Sequence, residues 1–120
     1  MTNRINSLPG KKVIILGGSS GLGLATAKAA AAEGATVLIV SGNQRRIDEA
    51  LTELPKDSEG YAVDLRKEEN IAAFFERAGS FDHLVYTAAE NLSLSAIHDL
   101  ELDKAREFFT LRYWGAVAAV

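Results

Sequence analysis

Cysteine is absent from the 120 residues. That excludes disulfide bridges and zinc–thiolate sites and fits a reducing, cytoplasmic setting. The two histidines, His83 and His98, stand alone without metal-ligand spacing and read as surface or loop residues, so no metal site is expected. The two prolines, Pro9 and Pro55, bound segments rather than interrupt them. No run of about 20 apolar residues exists to span a membrane. The start, Met1-Thr2-Asn3-Arg4-Ile5-Asn6, lacks the apolar centre of a signal peptide. Positive charge is not in excess either. A net charge of −3 argues against a nucleic-acid binder working by bulk electrostatics. Repeats, low-complexity tracts and linkers are missing, and the length makes a single domain over 1–120 the default.

What the sequence does have is the run Val13-Ile14-Ile15-Leu16-Gly17-Gly18-Ser19-Ser20-Gly21-Leu22-Gly23. An apolar strand over 12–16 feeds a glycine-rich turn, and an alanine-rich helix over 21–33 follows at once. This order aims the unpaired N–H groups of a helix N-terminus at one point, which attracts phosphate. Ala25, Ala29 and Ala32 can share a helix face for close packing on a sheet. A second continuous apolar run, 36–40, suits a strand covered on both faces. Asn43 is placed to cap a helix over about 44–54, with Ile47, Leu51 and Leu54 at helical spacing. A short strand at 60–63 ends at Asp64. A helix over 68–78 carries Ile71, Phe74, Phe75 and Ala78 on one stripe. A fourth strand covers 83–86, a polar loop 87–99, and a last helix runs from about Asp103 to the final residue. Four strand–helix alternations imply a parallel sheet with right-handed crossovers and helices on both faces, a three-layer, doubly wound α/β fold.

The spacing Gly17, Gly21, Gly23 is neither Gly-x-Gly-x-x-Gly nor a Walker loop. It resembles the Thr-Gly-x-x-x-Gly-x-Gly loop of the short-chain dehydrogenase/reductase family, with Leu16 in place of the threonine. Ala35 to Asn43 resembles the family's second strand and ribose-facing turn. Val63-Asp64-Leu65 resembles its adenine-facing pair, and Asp82 to Ala89 its fourth strand running into Asn-Asn-Ala-Gly. The resemblance covers essentially the whole chain and implies a Rossmann-like sheet in the order 3-2-1-4. It assigns Gly17, Ser19, Ser20, Gly21, Leu22 and Gly23 to the pyrophosphate. Physically, Gly17 allows the tight turn, Gly21 lets backbone approach the ligand, Gly23 lets helix and strand sit close, and the serines add donors. The resemblance further assigns Ser41 and Asn43 to the ribose, Asp64 and Leu65 to adenine, and Ala88 and Ala89 to close approach of the cofactor. Asp64 can also cap the helix before Lys67-Glu68-Glu69. Tyr86 and Thr87 stand where the two asparagines would be, so support of the central sheet must come from elsewhere. The acidic residue of NAD-preferring members is absent after the second strand, and Arg45 and Arg46 lie just beyond, either within reach of a 2′-phosphate or as solvated surface residues. The expected cofactor is therefore NADP in preference to NAD, although Gly42 occupies the place where NADP-preferring members often carry arginine.

By the same resemblance, the activity is that of an oxidoreductase passing hydride between nicotinamide and a small carbonyl or alcohol substrate. The family's Tyr-x-x-x-Lys is not present: none of Tyr61, Tyr86 and Tyr113 has lysine four residues on. The catalytic residues are thus unassigned. The uncharged end Tyr113–Val120 and the open edge of the fourth strand lead to the expectation that these residues are the N-terminal half of a longer domain and are not active alone. The alternative is a non-catalytic NAD(P)-binding or redox-sensing protein. Arg112 stands where the family often has asparagine, on the stripe of Ala105, Phe108, Phe109 and Ala116. It must face the cleft, reach water or pair with a carboxylate. The segment Asn91-Leu92-Ser93-Leu94-Ser95 is expected to border the cleft. A homodimer or homotetramer is the assembly the resemblance implies.

Overall fold

Val, Ile and Leu fill the two central strands, and alternate residues of each point to opposite faces. The computed structural model describes residues 7–90 and 94–120. The segment Met1–Asn6, read as lacking a signal peptide, and the Asn91-Leu92-Ser93 part of the expected cleft border lie outside the described residues. Strands β1 (Lys12–Leu16), β2 (Thr36–Ser41), β3 (Glu59–Ala62) and β4 (His83–Tyr86) form one parallel sheet in the order β3-β2-β1-β4. Helices α1 (Gly21–Ala32) and α2 (Gln44–Leu51) cover one face, and α3 (Glu68–Ala78) covers the other. Val13, Ile15, Val37 and Ile39 pack with Ala27, Ala30, Ile47 and Ala50. Ile14, Leu16, Leu38 and Val40 pack with Leu65, Ile71 and Phe74 on the far side. Each fully buried side chain of this size contributes about 1.5–3 kcal/mol. The sheet is therefore a double-sided core, and its strand ends are fixed in register.

Helix α1 packs on a different stripe from the one its alanines suggested. Ala25, Ala29 and Ala32 are exposed, while Gly23, Ala27 and Ala30 are buried. Alanine occurs on several faces of this helix, so its periodicity cannot choose between them. Contact with β1 does: a Cβ on Gly23 would collide with the Gly17 carbonyl oxygen, so this face alone can meet the strand.

The end of the chain also departs from expectation. The single last helix is instead α4 (Leu102–Phe109), a π-helical segment over Thr110–Gly115, and a short α5 (Ala116–Ala119). A short 3₁₀ turn, Ile97–Asp99, lies within the expected loop. The π segment has a tertiary cause. The Tyr86 hydroxyl on β4 donates to the Leu111 carbonyl at 2.5 Å and occupies the space where a Gly115 side chain would stand. A side chain inserted into the i→i−4 ladder widens it locally. Among the described residues no helix is long and apolar enough to cross a membrane.

Candidate cofactor site

The C-terminal ends of the strands surround a cavity of about 690 Å³. Its centre is the turn between β1 and α1. Gly17 has φ of +94°, and a Cβ there would lie 2.5 Å from the Ala88 backbone nitrogen, so only glycine lets the two segments meet. Ser20 occupies the N-cap position with extended backbone, and its side chain makes no cap hydrogen bond. No acidic residue stands in the first turn. The leading N–H groups of a 12-residue helix therefore open on the cavity with neither a side-chain oxygen nor a carboxylate to neutralise them, the arrangement that binds an anion. Gly21, at φ +54°, has open space where a Cβ would be, and Leu22 is also exposed on this wall.

Towards β2 and β3 the wall is made by Ser41, Gly42, Asp64 and Leu65, with Arg46 and Arg66 beside them. Helix α2 decides which arginine faces inward. The Asn43 side chain accepts from the Arg46 N–H at 3.1 Å, capping the helix as its sequence position suggested. That fixes the first turn so that Arg46 reaches the wall. Arg45 turns outward, 3.6 Å from Glu49 and largely solvent-exposed. Asn43, expected at the ribose, and Arg45, expected within reach of a 2′-phosphate, are thus not on the cavity wall: one carboxamide is spent on the cap, and one guanidinium sits over the next helical turn.

Asp64 is not the cap of α3. Lys67 holds that position, and Asp64 Oδ1 instead accepts from the Arg66 backbone N–H at 3.1 Å and from Arg66 Nε at 3.0 Å. Its Oδ2 accepts from Nη2 at 3.2 Å. The Arg66 side chain and then its backbone N–H hold the Asp64 carboxyl below the usual carboxylate range. Both partners are well exposed, so the pair adds little stability and can rearrange around a ligand.

The β4 side carries Thr87, Ala88, Ala89, Glu90 and Leu111. Thr87 takes over the sheet support for which no asparagine was available: its hydroxyl lies 3.1 Å from the Gly17 carbonyl and 3.3 Å from that of Leu16, to which it can donate. Its backbone N–H donates to the Leu16 carbonyl at 2.8 Å. Of the outcomes open to Arg112, the structure shows the carboxylate pairing, with Nε 4.0 Å from Glu90 Oε1. Burial, followed by the nearby Glu90 charge, pushes the Tyr86 hydroxyl up to about 12. His83 and His98 are exposed, and among the described residues no cluster of acidic or histidine side chains could hold a metal.

The structure thus gathers Gly17, Ser19, Ser20, Gly21, Leu22, Gly23, Ser41, Asp64, Leu65, Ala88 and Ala89 from the expected set around one cavity. It adds Gly42, Arg46, Arg66, Thr87, Glu90 and Leu111. Glu90 had a partial signal in the sequence: pairing with a carboxylate was one of the three outcomes open to a charged Arg112 on an apolar stripe. Leu111 had none, because it reaches the wall through the π segment.

A parallel doubly wound sheet with a glycine turn and an open helix N-terminus at its strand ends defines a Rossmann-like nucleotide-binding architecture. The family model described as short chain dehydrogenase matches residues 11–120, and the chain belongs to the short-chain dehydrogenase/reductase family. It is 30% identical to a short-chain dehydrogenase/reductase of Gibberella fujikuroi, the match covering 92% of this chain and 47% of that relative. Among solved structures, it resembles L-sorbose reductase from Gluconobacter frateurii, complexed with NADPH and L-sorbose. The TM-score is 0.84 at 30% identity, over 94% of this chain and 46% of that one. It also resembles 3-ketoacyl-(acyl-carrier-protein) reductase from Brucella melitensis complexed with NADH. There the TM-score is 0.86 at 27% identity, over 94% of this chain and 48% of that one. The chain therefore spans about half the length of these relatives.

Proposed function

We propose that the chain is the cofactor-binding part of an NAD(P)-dependent oxidoreductase that exchanges hydride between nicotinamide and a small carbonyl or alcohol. NADP(H) is the preferred cofactor in this reading. The observation that carries it is the uncapped, acid-free N-terminus of α1 opening on the cavity. The dinucleotide supplies the hydride carrier, while this chain holds its phosphates on the α1 amides, with Ser19 and Ser20 adding hydroxyls. Preference for the 2′-phosphate rests on two features. No carboxylate follows β2, where one would repel that phosphate, and Arg46 stands on the wall beside Ser41 and Gly42. The family's solved relatives named above carry NADPH in one case and NADH in the other, which supports the cofactor class.

Calorimetric titration of the protein with NADPH and NADH tests this. NADPH is expected to bind more tightly. Arg46→Ala is expected to weaken NADPH about tenfold, the scale of one charge-assisted phosphate contact, and to leave NADH nearly unchanged. Arg45→Ala is expected to alter neither. No heat with either cofactor overturns the binding reading, and equal affinities untouched by Arg46→Ala overturn the NADP preference.

A further inference from the structure

The π segment leaves a set of hydrogen bonds that cofactor binding does not itself explain. In an uninterrupted α-helix the N–H groups of Leu111 and Arg112 would donate to the carbonyls of Glu107 and Phe108. Here they also have a partner outside the helix. Leu111 N–H donates to Glu90 Oε2 at 2.7 Å, and Arg112 N–H donates to Glu90 Oε1 at 3.2 Å. The two carbonyls find other donors. The Thr110 N–H donates to Glu107, and Arg112 Nε donates to Phe108 at 3.3 Å. Arg112 Nη2 closes the set by donating to the Glu90 backbone carbonyl at 2.9 Å, with the guanidinium 3.9 Å from the centre of the Phe108 ring. The Glu90 side chain is one-fifth exposed, so water competes weakly for its oxygens.

This clasp sits at a defined place. Glu90 and Leu111 line the cavity on the β4 side. Arg46 lines it beyond β2, and the α1 N-terminus lies between them. A dinucleotide whose 2′-phosphate meets Arg46 and whose pyrophosphate meets α1 brings its nicotinamide half to the Glu90 side.

We propose that Glu90 is a positioning residue for the nicotinamide half of the cofactor. Beside the Tyr86 hydroxyl, its carboxylate anchors the widened helix at Leu111 and Arg112 and so sets the cavity wall at that end. This rests on the dinucleotide reading of the same cavity. Without the carboxylate, the Leu111 and Arg112 amides lose that partner and Leu111 shifts on the cavity wall, although the Tyr86 contact remains. The adenosine end is lined by Ser41, Gly42, Asp64 and Leu65, none of which donates a hydrogen bond to the Glu90 carboxylate.

The test is calorimetry of wild type, Glu90→Ala and Glu90→Gln with two ligands: NADPH, and adenosine 2′,5′-bisphosphate, which lacks the nicotinamide half. Glu90→Ala is expected to weaken NADPH about tenfold and to leave the bisphosphate within about twofold. Glu90→Gln, with one acceptor oxygen instead of two, is expected to fall between. Near-ultraviolet circular dichroism of the Tyr113–Trp114 edge pair, at 4.9 Å in the π segment, reports the helix rearrangement. If Glu90→Ala does not fold, Glu90→Gln decides by the same comparison. Unchanged NADPH affinity overturns the proposal, as does an equal loss for both ligands. A wild type that binds neither ligand overturns the dinucleotide reading itself, which separates the two failures.

Discussion

Replacing Gly23 with alanine asks whether helix α1 is held against β1 by the absence of a single methyl group. The added Cβ would overlap the Gly17 carbonyl oxygen and lie 2.6 Å from Thr87 Oγ1. Neither atom is the loose end of a flexible side chain. The Gly17 N–H donates to the Val40 carbonyl at 2.8 Å, and the Gly17 carbonyl faces the Thr87 hydroxyl at 3.1 Å. The helix must therefore back away from the strand. Overpacking of this kind costs about 1–3 kcal/mol. Alanine's better helix propensity offsets up to ~1 kcal/mol of that, less in a first turn. The net loss is about 1–2 kcal/mol, which for a domain of this size lowers Tm by about 4–8 °C. Because the same helix presents its N-terminal amides to the cavity, NADPH affinity is expected to fall with it. Thermal unfolding followed by circular dichroism measures the first effect, and calorimetry the second. Ala25→Gly, on the exposed face of α1, is the control for propensity alone and should cost no more than about 1 kcal/mol without altering affinity. A Gly23→Ala protein melting at or above the wild-type temperature would refute the close-approach argument.

Alkaline pH should expose the Tyr86 contact. Its folded pKa, about 12, lies above the unfolded value near 10. The stabilisation is therefore complete below pH ~10 and is lost as pH rises from there through 12. Urea midpoints at pH 9 and pH 11 should converge between wild type and Tyr86→Phe; parallel shifts would contradict the assignment. The cofactor-binding half-domain reading has its own check. Given the 47% coverage of the Gibberella relative, the intact mass of the native gene product is expected near twice 12.9 kDa. A native mass of 12.9 kDa would overturn it.

Layering was legible in the sequence because it rests on local rules, and the strand order followed from the family resemblance. Continuous runs such as Val13–Leu16 and Val37–Val40 have no polar face to give to water, so they had to be central strands. The stripe Ile71, Phe74, Phe75, Ala78 points one way at 3.6 residues per turn, and Gly17, Gly21 and Gly23 mark a turn that few other functions require. The cofactor loop was readable for the same reason: its chemistry is backbone chemistry, and backbone geometry is announced by glycine.

Side-chain direction was not legible where sequence offered equivalent choices. Arg45 and Arg46 are neighbours, and only the Asn43 cap on the first turn of α2 sends one to the cavity and the other to Glu49. The alanines of α1 looked alike until Gly23 had to face Gly17. The apolar spacing of the last helix predicted an unbroken α-helix. Tyr86, 25 residues from Leu111, and Glu90, 21 and 22 residues from the amides it accepts, open it instead. The sequence by itself determined the layered parallel sheet and the phosphate-directed turn, because hydrophobic period and glycine spacing act over a few residues, while the strand order was what the family resemblance implied. Tertiary structure alone decided the ends of the cavity, because those depend on contacts between segments that only the folded sheet brings together.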